Sequence, residues 1–147
     1  MRYITEINMS ERKLTRHEAR ELAFKILFAK DFDAQADAKE FYRSFIENTE
    51  EKTNDYVEAT VVGVSEKLGG IDALVESSSN NWKLSRMSTA TRTVLRLSVY
   101  ELTETETPPK VVINEAVEII KLYDEDSAPS FVNGILNNIA RERGLIA

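Results

Sequence analysis

The stretch SFVNGILNN, Ser130 to Asn138, decides the fold because it supports two incompatible readings. Asn133-Gly134 is a strong hairpin-turn signal. Yet Phe131, Val132, Ile135, Leu136 and Ile139 recur at helical spacing. Stepping 100° per residue gathers these apolar positions into roughly half the circumference, centred near Ile139. Asn133, Gly134, Asn137 and Arg141 fall on the other side. The pattern predicts a helix from about Pro129 to Arg143, with Gly144 just beyond it. Gly134 then sits mid-helix on the polar side, where glycine costs about 0.5–1 kcal/mol relative to alanine. It implies a close approach to the backbone, either by a neighbouring helix or by a ligand or partner. The angular count does not choose between them.

Working outward, the rest of the chain also reads as consecutive helices. Thr15 and Glu18 fit a capping box that opens a helix running to about Asp33. A short helix covers Ala38 to about Glu47. In NDYVEATVVGVSEKLGG, Val57, Val61, Val64 and Leu68 form a helical core stripe that Gly69-Gly70 is expected to end. Another helix follows from Ile71 to about Ser78. Trp82 and Leu84 look like core anchors before STATRTVLRLSVYELTE, which is apolar over most of its circumference and is expected at the centre. Pro108-Pro109 is expected to stop that helix. KVVINEAVEIIKLY is amphipathic, and Ser127 with Pro129 suits the start of the last helix. The expectation is an all-α domain of about seven helices spanning 1–147, with residues 1–14 a flexible N-terminal extension.

Composition narrows the function. The 147 residues include no cysteine, which excludes disulfides, thiolate metal sites and thiol nucleophiles. No apolar run reaches the roughly 18 residues of a membrane span, and the N-terminus lacks a signal-peptide core, so a cytoplasmic location is expected. Net charge is −6, but Ser10 to Lys30 carries +3, with Arg12, Lys13, Arg16, Arg20, Lys25 and Lys30 against three glutamates. A local basic patch on an acidic body suits an oriented contact with a polyanion. A solvated helix face would give the same count.

The helix opening at Thr15 has two faces. Ala19, Leu22, Ala23, Ile26 and Ala29 form a core stripe, while His17, Arg20, Phe24 and Phe28 lie to another side with Arg16 beside them. Cations followed by aromatics along one face suit RNA, because arginine meets phosphates and aromatic rings stack on unpaired bases. The same face also suits packing of Phe24 and Phe28 against a further helix. No catalytic constellation stands out. His17 is the only histidine, and no glycine-rich phosphate loop precedes a helix. The reading is a non-enzyme without cofactor or metal.

VLRLSVYELTE, PPKVVINEAVEIIKLY and SFVNGILNNIAR closely resemble the C-terminal signatures of the bacterial transcription antitermination factor NusB family, and TRHEARELAFKILFAKDF resembles its first helix. The likeness covers nearly the whole chain after a short N-terminal segment; about Asp33 to Ser79 match in length and helical character more than in residues. The resemblance implies two packed helical bundles without a cofactor. It implies pairing with NusE, the ribosomal small-subunit protein, and binding of single-stranded boxA RNA in nascent ribosomal RNA. NusA, NusG and RNA polymerase join the larger complex that suppresses premature termination. Some family members dimerise through the same face, so a homodimer is among the states implied.

Onto the family's arginine-rich RNA-contacting stretch map Arg16, His17 and Arg20, with Arg12 and Lys13 upstream. Phe131 maps to an RNA-contacting aromatic, with Asn133 and Gly134 in the same motif. Phe28 maps near the NusE interface, as do Thr91 and Ser127, although neither residue type matches the acidic versions there. Phe24 and Phe28 are taken as exposed apolar positions of that partner surface. Arg96, Glu101, Asn114 and Glu115 are expected to be paired structural groups, since a lone buried charge is costly. Glu18 and a largely neutral His17 interrupt the basic run, implying weak RNA binding without NusE. Two other functions compete: a helical accessory domain like that preceding some ribosomal RNA cytosine methyltransferases, and a pure protein–protein scaffold. The end at Ala147, with no methyltransferase domain following, disfavours the first.

Overall fold

A computed structural model of the chain describes residues 13–80 and 82–147. Among these are seven α-helices and two 3-10 turns, with no strand. Helix α1 spans Arg16–Lys30 and continues into a 3-10 turn, Asp31–Asp33. Its capping box forms as the sequence predicts: Glu18 N–H donates to Thr15 Oγ1 at 3.1 Å, and Thr15 N–H donates to Glu18 Oε1 at 2.9 Å. Helices α2 (Ala38–Thr49) and α3 (Asp55–Glu66) are opened by Asp37 and Asn54, whose side chains accept from Glu40 N–H and Val57 N–H. The stripe then breaks at Lys67, two residues before the glycine pair, and α4 runs Leu68–Ser77. Gly69 and Gly70 therefore lie in the first turn of α4 and do not end α3, contrary to expectation. Helix α5 (Thr89–Glu104) starts at Ser88 and ends four residues short of Pro108; Pro109 opens α6 (Pro109–Tyr123), where its missing N–H costs nothing. Helix α7 spans Ala128–Glu142, and Gly144 follows at φ +72°. The Asn133-Gly134 pair is helical.

Helices α1, α2 and α3 pack as one bundle and α4 to α7 as a second, with α5 against α1, α3, α4, α6 and α7. That central position accounts for the apolar character of α5 on nearly every side: Ala90, Val94, Leu95, Leu97, Val99 and Leu102 are buried. The α3–α5 crossing depends on a glycine. A Cβ on Gly63 would lie 2.5 Å from the Tyr100 ring. No helix among the described residues is long and apolar enough to cross a membrane.

The junction of α1, α4 and α5 is held by charge. Asp31 accepts from Arg92 at 2.6 Å and Arg96 at 3.0 Å, and Arg96 grips Asp72 through two bonds of 2.8 and 2.9 Å. Arg92 also donates to the Leu84 and Met87 carbonyls, fixing the 3-10 turn Leu84–Arg86. Two arginines offset two carboxylates, so no charge here is left unpaired.

Candidate RNA and partner interface

The first turn of α1 presents a short cationic surface. Lys13 and Arg16 are exposed, and the His17 side chain is half exposed. The Arg16 guanidinium lies over the Tyr56 ring, 3.9 Å from its centroid, which fixes the charge through a cation–π contact. The positive end of the α1 dipole adds to the same surface. His17 Nδ1 is 2.5 Å from Glu115 Oε2, and Nε2 is 4.0 Å from Glu21. The hydrogen bond to Glu115 raises the imidazole pKa above its usual 6.5, against the opposing effect of burial. Glu21 in turn accepts from the Tyr123 hydroxyl at 3.1 Å. Asn114 is exposed, beside this network on α6.

Arg20 does not belong to that surface, which corrects the expectation drawn from the α1 pattern. It is 4% exposed, and its Nε donates to both carboxylate oxygens of the buried Glu101. The angular count puts Arg20 beside Arg16, but α5 and α3 cover it. The Tyr56 hydroxyl is buried beside Glu101 and Thr60 with no hydrogen bond of normal geometry. Burial, then the Glu101 charge, pushes its pKa up to about 12.

Phe24 is likewise buried, at 1% exposure, and so is no exposed partner contact. It packs between Phe28 and Tyr123, with ring centroids 5.9 and 4.9 Å away. The aromatic row surfaces further along: Phe28 is partly buried, and Phe32, 5.7 Å beyond it, is 75% exposed. Exposed Leu122 and Tyr123 end α6 near this row. Phe32 continues the four-residue spacing of Phe24 and Phe28 inside the helix expected to about Asp33, a signal that could have found it.

Thr91, Ser127 and Phe131, assigned to two different ligands by resemblance, share one groove of 530 Å³ with Trp82, Met87 and Asp124. Thr91 is itself buried, and its hydroxyl is committed to Asp124 at 2.7 Å, so it shapes the groove wall more than it offers a free polar group. Ser88 bonds the same carboxylate. Burial would push the Asp124 pKa up, but the Ser88 and Thr91 hydroxyls and the Glu125 amide hold it below the usual range. Ser127 is exposed and precedes α7 without capping it. Phe131 lies edge-on to Trp82 at 6.1 Å. Trp82 is 51% exposed, so it is no core anchor; only Leu84 is buried there.

Asn133 and Gly134 are exposed on α7, where the Asn137 amide donates to the Asn133 carbonyl at 2.9 Å. Nothing lies within 4 Å of where a Gly134 Cβ would stand. Among the described residues no neighbouring helix accounts for this glycine, so the packing alternative falls. Arg12 lies outside the described residues, as do residues 1–11 of the expected flexible extension.

The candidates thus form two groups: a cationic turn (Lys13, Arg16, His17) and an aromatic groove (Thr91, Ser127, Phe131, Trp82). Helix α6 joins them, because Glu115 meets His17 and Asp124 borders the groove. Comparison with known proteins agrees with this architecture. The model of the NusB family matches residues 17–141. A transcription antitermination protein NusB from Pediococcus pentosaceus is 38% identical over 131 residues, covering 87% of this chain and 98% of its own. The T. maritima NusB structure superposes with a TM-score of 0.78 at 34% identity, covering 89% of this chain and 94% of that one. A crystal structure of antitermination factors NusB and NusE in complex with dsRNA superposes at 0.75 with 26% identity, covering 88% of this chain and 99% of that one. The chain belongs to the NusB family of transcription antitermination proteins.

Proposed function

We propose that this chain is an RNA-binding adaptor that joins NusE, binds single-stranded boxA RNA of nascent ribosomal transcripts, and supports processive transcription with NusA, NusG and RNA polymerase. The observation that carries the reading is the start of α1, where Arg16 stands over Tyr56 beside exposed Lys13 and half-exposed His17. Lys13 and Arg16 are exposed cations and His17 is paired with Glu115, all at a helix N-terminus where phosphate is favoured. The related NusB seen with NusE and dsRNA supports the same pairing for this chain. Exposed Phe32, Leu122 and Tyr123 offer an apolar surface for NusE, and the groove lined by Thr91 and Ser127 offers a second one.

Few cations are available on α1, because Arg20 is buried and His17 is tied to Glu115. RNA affinity therefore depends on NusE. The test is assembly: the chain, NusE and a boxA oligonucleotide are mixed and resolved by size-exclusion chromatography with light scattering. A 1:1:1 complex is expected at RNA concentrations where the chain alone leaves the RNA free. Equal RNA retention with and without NusE would contradict the adaptor reading.

A further inference from the structure

Trp82 is the only tryptophan of the chain, and it stands half exposed at the meeting point of three surface grooves. Exposure of this kind is unusual for the largest apolar side chain, which folding would otherwise remove from water. It is not a frayed loop residue. Trp82 N–H donates to the Ser79 carbonyl at 3.1 Å, and the buried Ser79 hydroxyl donates to the Trp82 carbonyl at 2.8 Å. On its far side, Arg92 holds the Leu84 carbonyl and Glu76 accepts from Leu84 N–H at 3.3 Å. One edge of the indole is set by Phe131, at an interplanar angle of 75°. The backbone at Trp82 is thus held and Phe131 supports one edge of the exposed ring, which leaves less ordering to the moment of binding.

We infer that Trp82, buttressed by Phe131 and opening onto the groove floored by Gly134, is a stacking site for one unpaired base of a bound RNA. This inference rests on the RNA-binding reading above and adds to it a residue and a subsite. The surroundings favour a nucleotide over a peptide. The groove behind Trp82 holds 280 Å³ and is lined mainly by polar groups, with Ser130, Asn138 and Asn80 around the open Gly134 position. That is the size of the smallest ligand pockets, roughly 300 Å³, and suits a single planar base with polar edges.

Any side chain at 134 would rise into this space, which gives the mid-helix glycine a reason that intramolecular packing does not supply. On the other side of the ring, exposed Lys83 and Arg86 line the adjoining groove and provide charge for the flanking phosphates. Arg86 also reaches the third groove, but Asp124 and Glu125 border that groove and repel phosphate, so the strand is expected to run along the groove that Lys83 and Arg86 line.

The single tryptophan makes the test direct. Trp82 emission and the anisotropy of a labelled boxA oligonucleotide are followed in one titration of the full chain, with NusE and with a NusE-only blank. Trp82→Ala and Trp82→Phe are titrated in parallel, and their melting temperatures checked. The expected result is quenching of Trp82 that saturates with the anisotropy. Affinity should fall about 5- to 100-fold in Trp82→Ala and be largely retained in Trp82→Phe, since stacking on an aromatic ring survives that change. Normal RNA binding with unchanged emission and a wild-type Trp82→Ala would overturn the inference and leave the adaptor reading standing. Quenching by NusE alone, with no further change on adding RNA, would overturn it in favour of a protein contact. Absence of RNA binding in every mixture would overturn both.

Discussion

Arg20 on α1 and Glu101 on α5 are 81 positions apart, yet the arginine Nε meets both carboxylate oxygens, at 2.8 and 3.0 Å, with both side chains almost fully buried. The pair ties the N-terminal bundle to the central helix. Removing one partner would strand the other in a low-dielectric interior, at a cost of about 3–5 kcal/mol. Arg20→Ala and Glu101→Ala are therefore each expected to lower the urea midpoint sharply. An Arg20→Met, Glu101→Leu double variant should recover much of the loss. Single variants that melt with the wild type would contradict the pairing.

Arg16 is expected to behave in the opposite way. It is exposed and makes a surface cation–π contact, so Arg16→Ala should change stability by no more than about 1 kcal/mol. Its effect should appear in RNA binding, as weaker affinity and a salt slope reduced by about one. An unaltered slope would take Arg16 off the RNA surface.

These two arginines mark what could be read from sequence. Local rules served well: the Thr15–Glu18 capping box, the helical phase of SFVNGILNN and the central place of α5 all depend on neighbours within a few turns. Where the outcome depended on distant chain, reading failed. Arg20 and Phe24 share an angular sector with Arg16, but Glu101 and Tyr123 come from other helices to cover them. Tryptophan usually anchors a core, and the polar run SSSNNWKLSR carries no periodicity that would place Trp82 at the surface. Paired glycines often stop a helix, yet the chain has already turned at Lys67 and Gly69-Gly70 fall in the first turn of α4.

The two mid-helix glycines Gly63 and Gly134 separate by the same logic. Gly63→Ala would drive a methyl group into the Tyr100 ring, and overpacking of this kind costs about 1–3 kcal/mol. Trimming the ring in a Gly63→Ala, Tyr100→Ala double variant should relieve that part of the cost. Gly134→Ala meets nothing within 4 Å and should stabilise the fold by about 0.5–1 kcal/mol. Thermal denaturation of the two single variants should show shifts of opposite sign; destabilisation by Gly134→Ala would point to a packed neighbour.

His17 should respond to pH through Glu115. Its folded-state pKa is raised above 6.5, first by the hydrogen bond to Glu115. The ion pair's contribution to stability is thus fully present below pH 6.5, and is lost as pH rises through the higher folded-state value. The imidazole resonances in an NMR titration should report a pKa above 6.5, returning toward it in Glu115→Gln. An unchanged value in that variant would remove Glu115 as the cause.

Joint recognition of boxA RNA by this chain and NusE is tested by binding of labelled boxA and scrambled oligonucleotides at two salt concentrations, with and without NusE. Binding should be selective for boxA, strengthened by NusE and weakened by salt. Equal, weak binding to both RNAs in every condition would contradict it, and would leave a NusB-fold scaffold whose specificity lies in protein contacts.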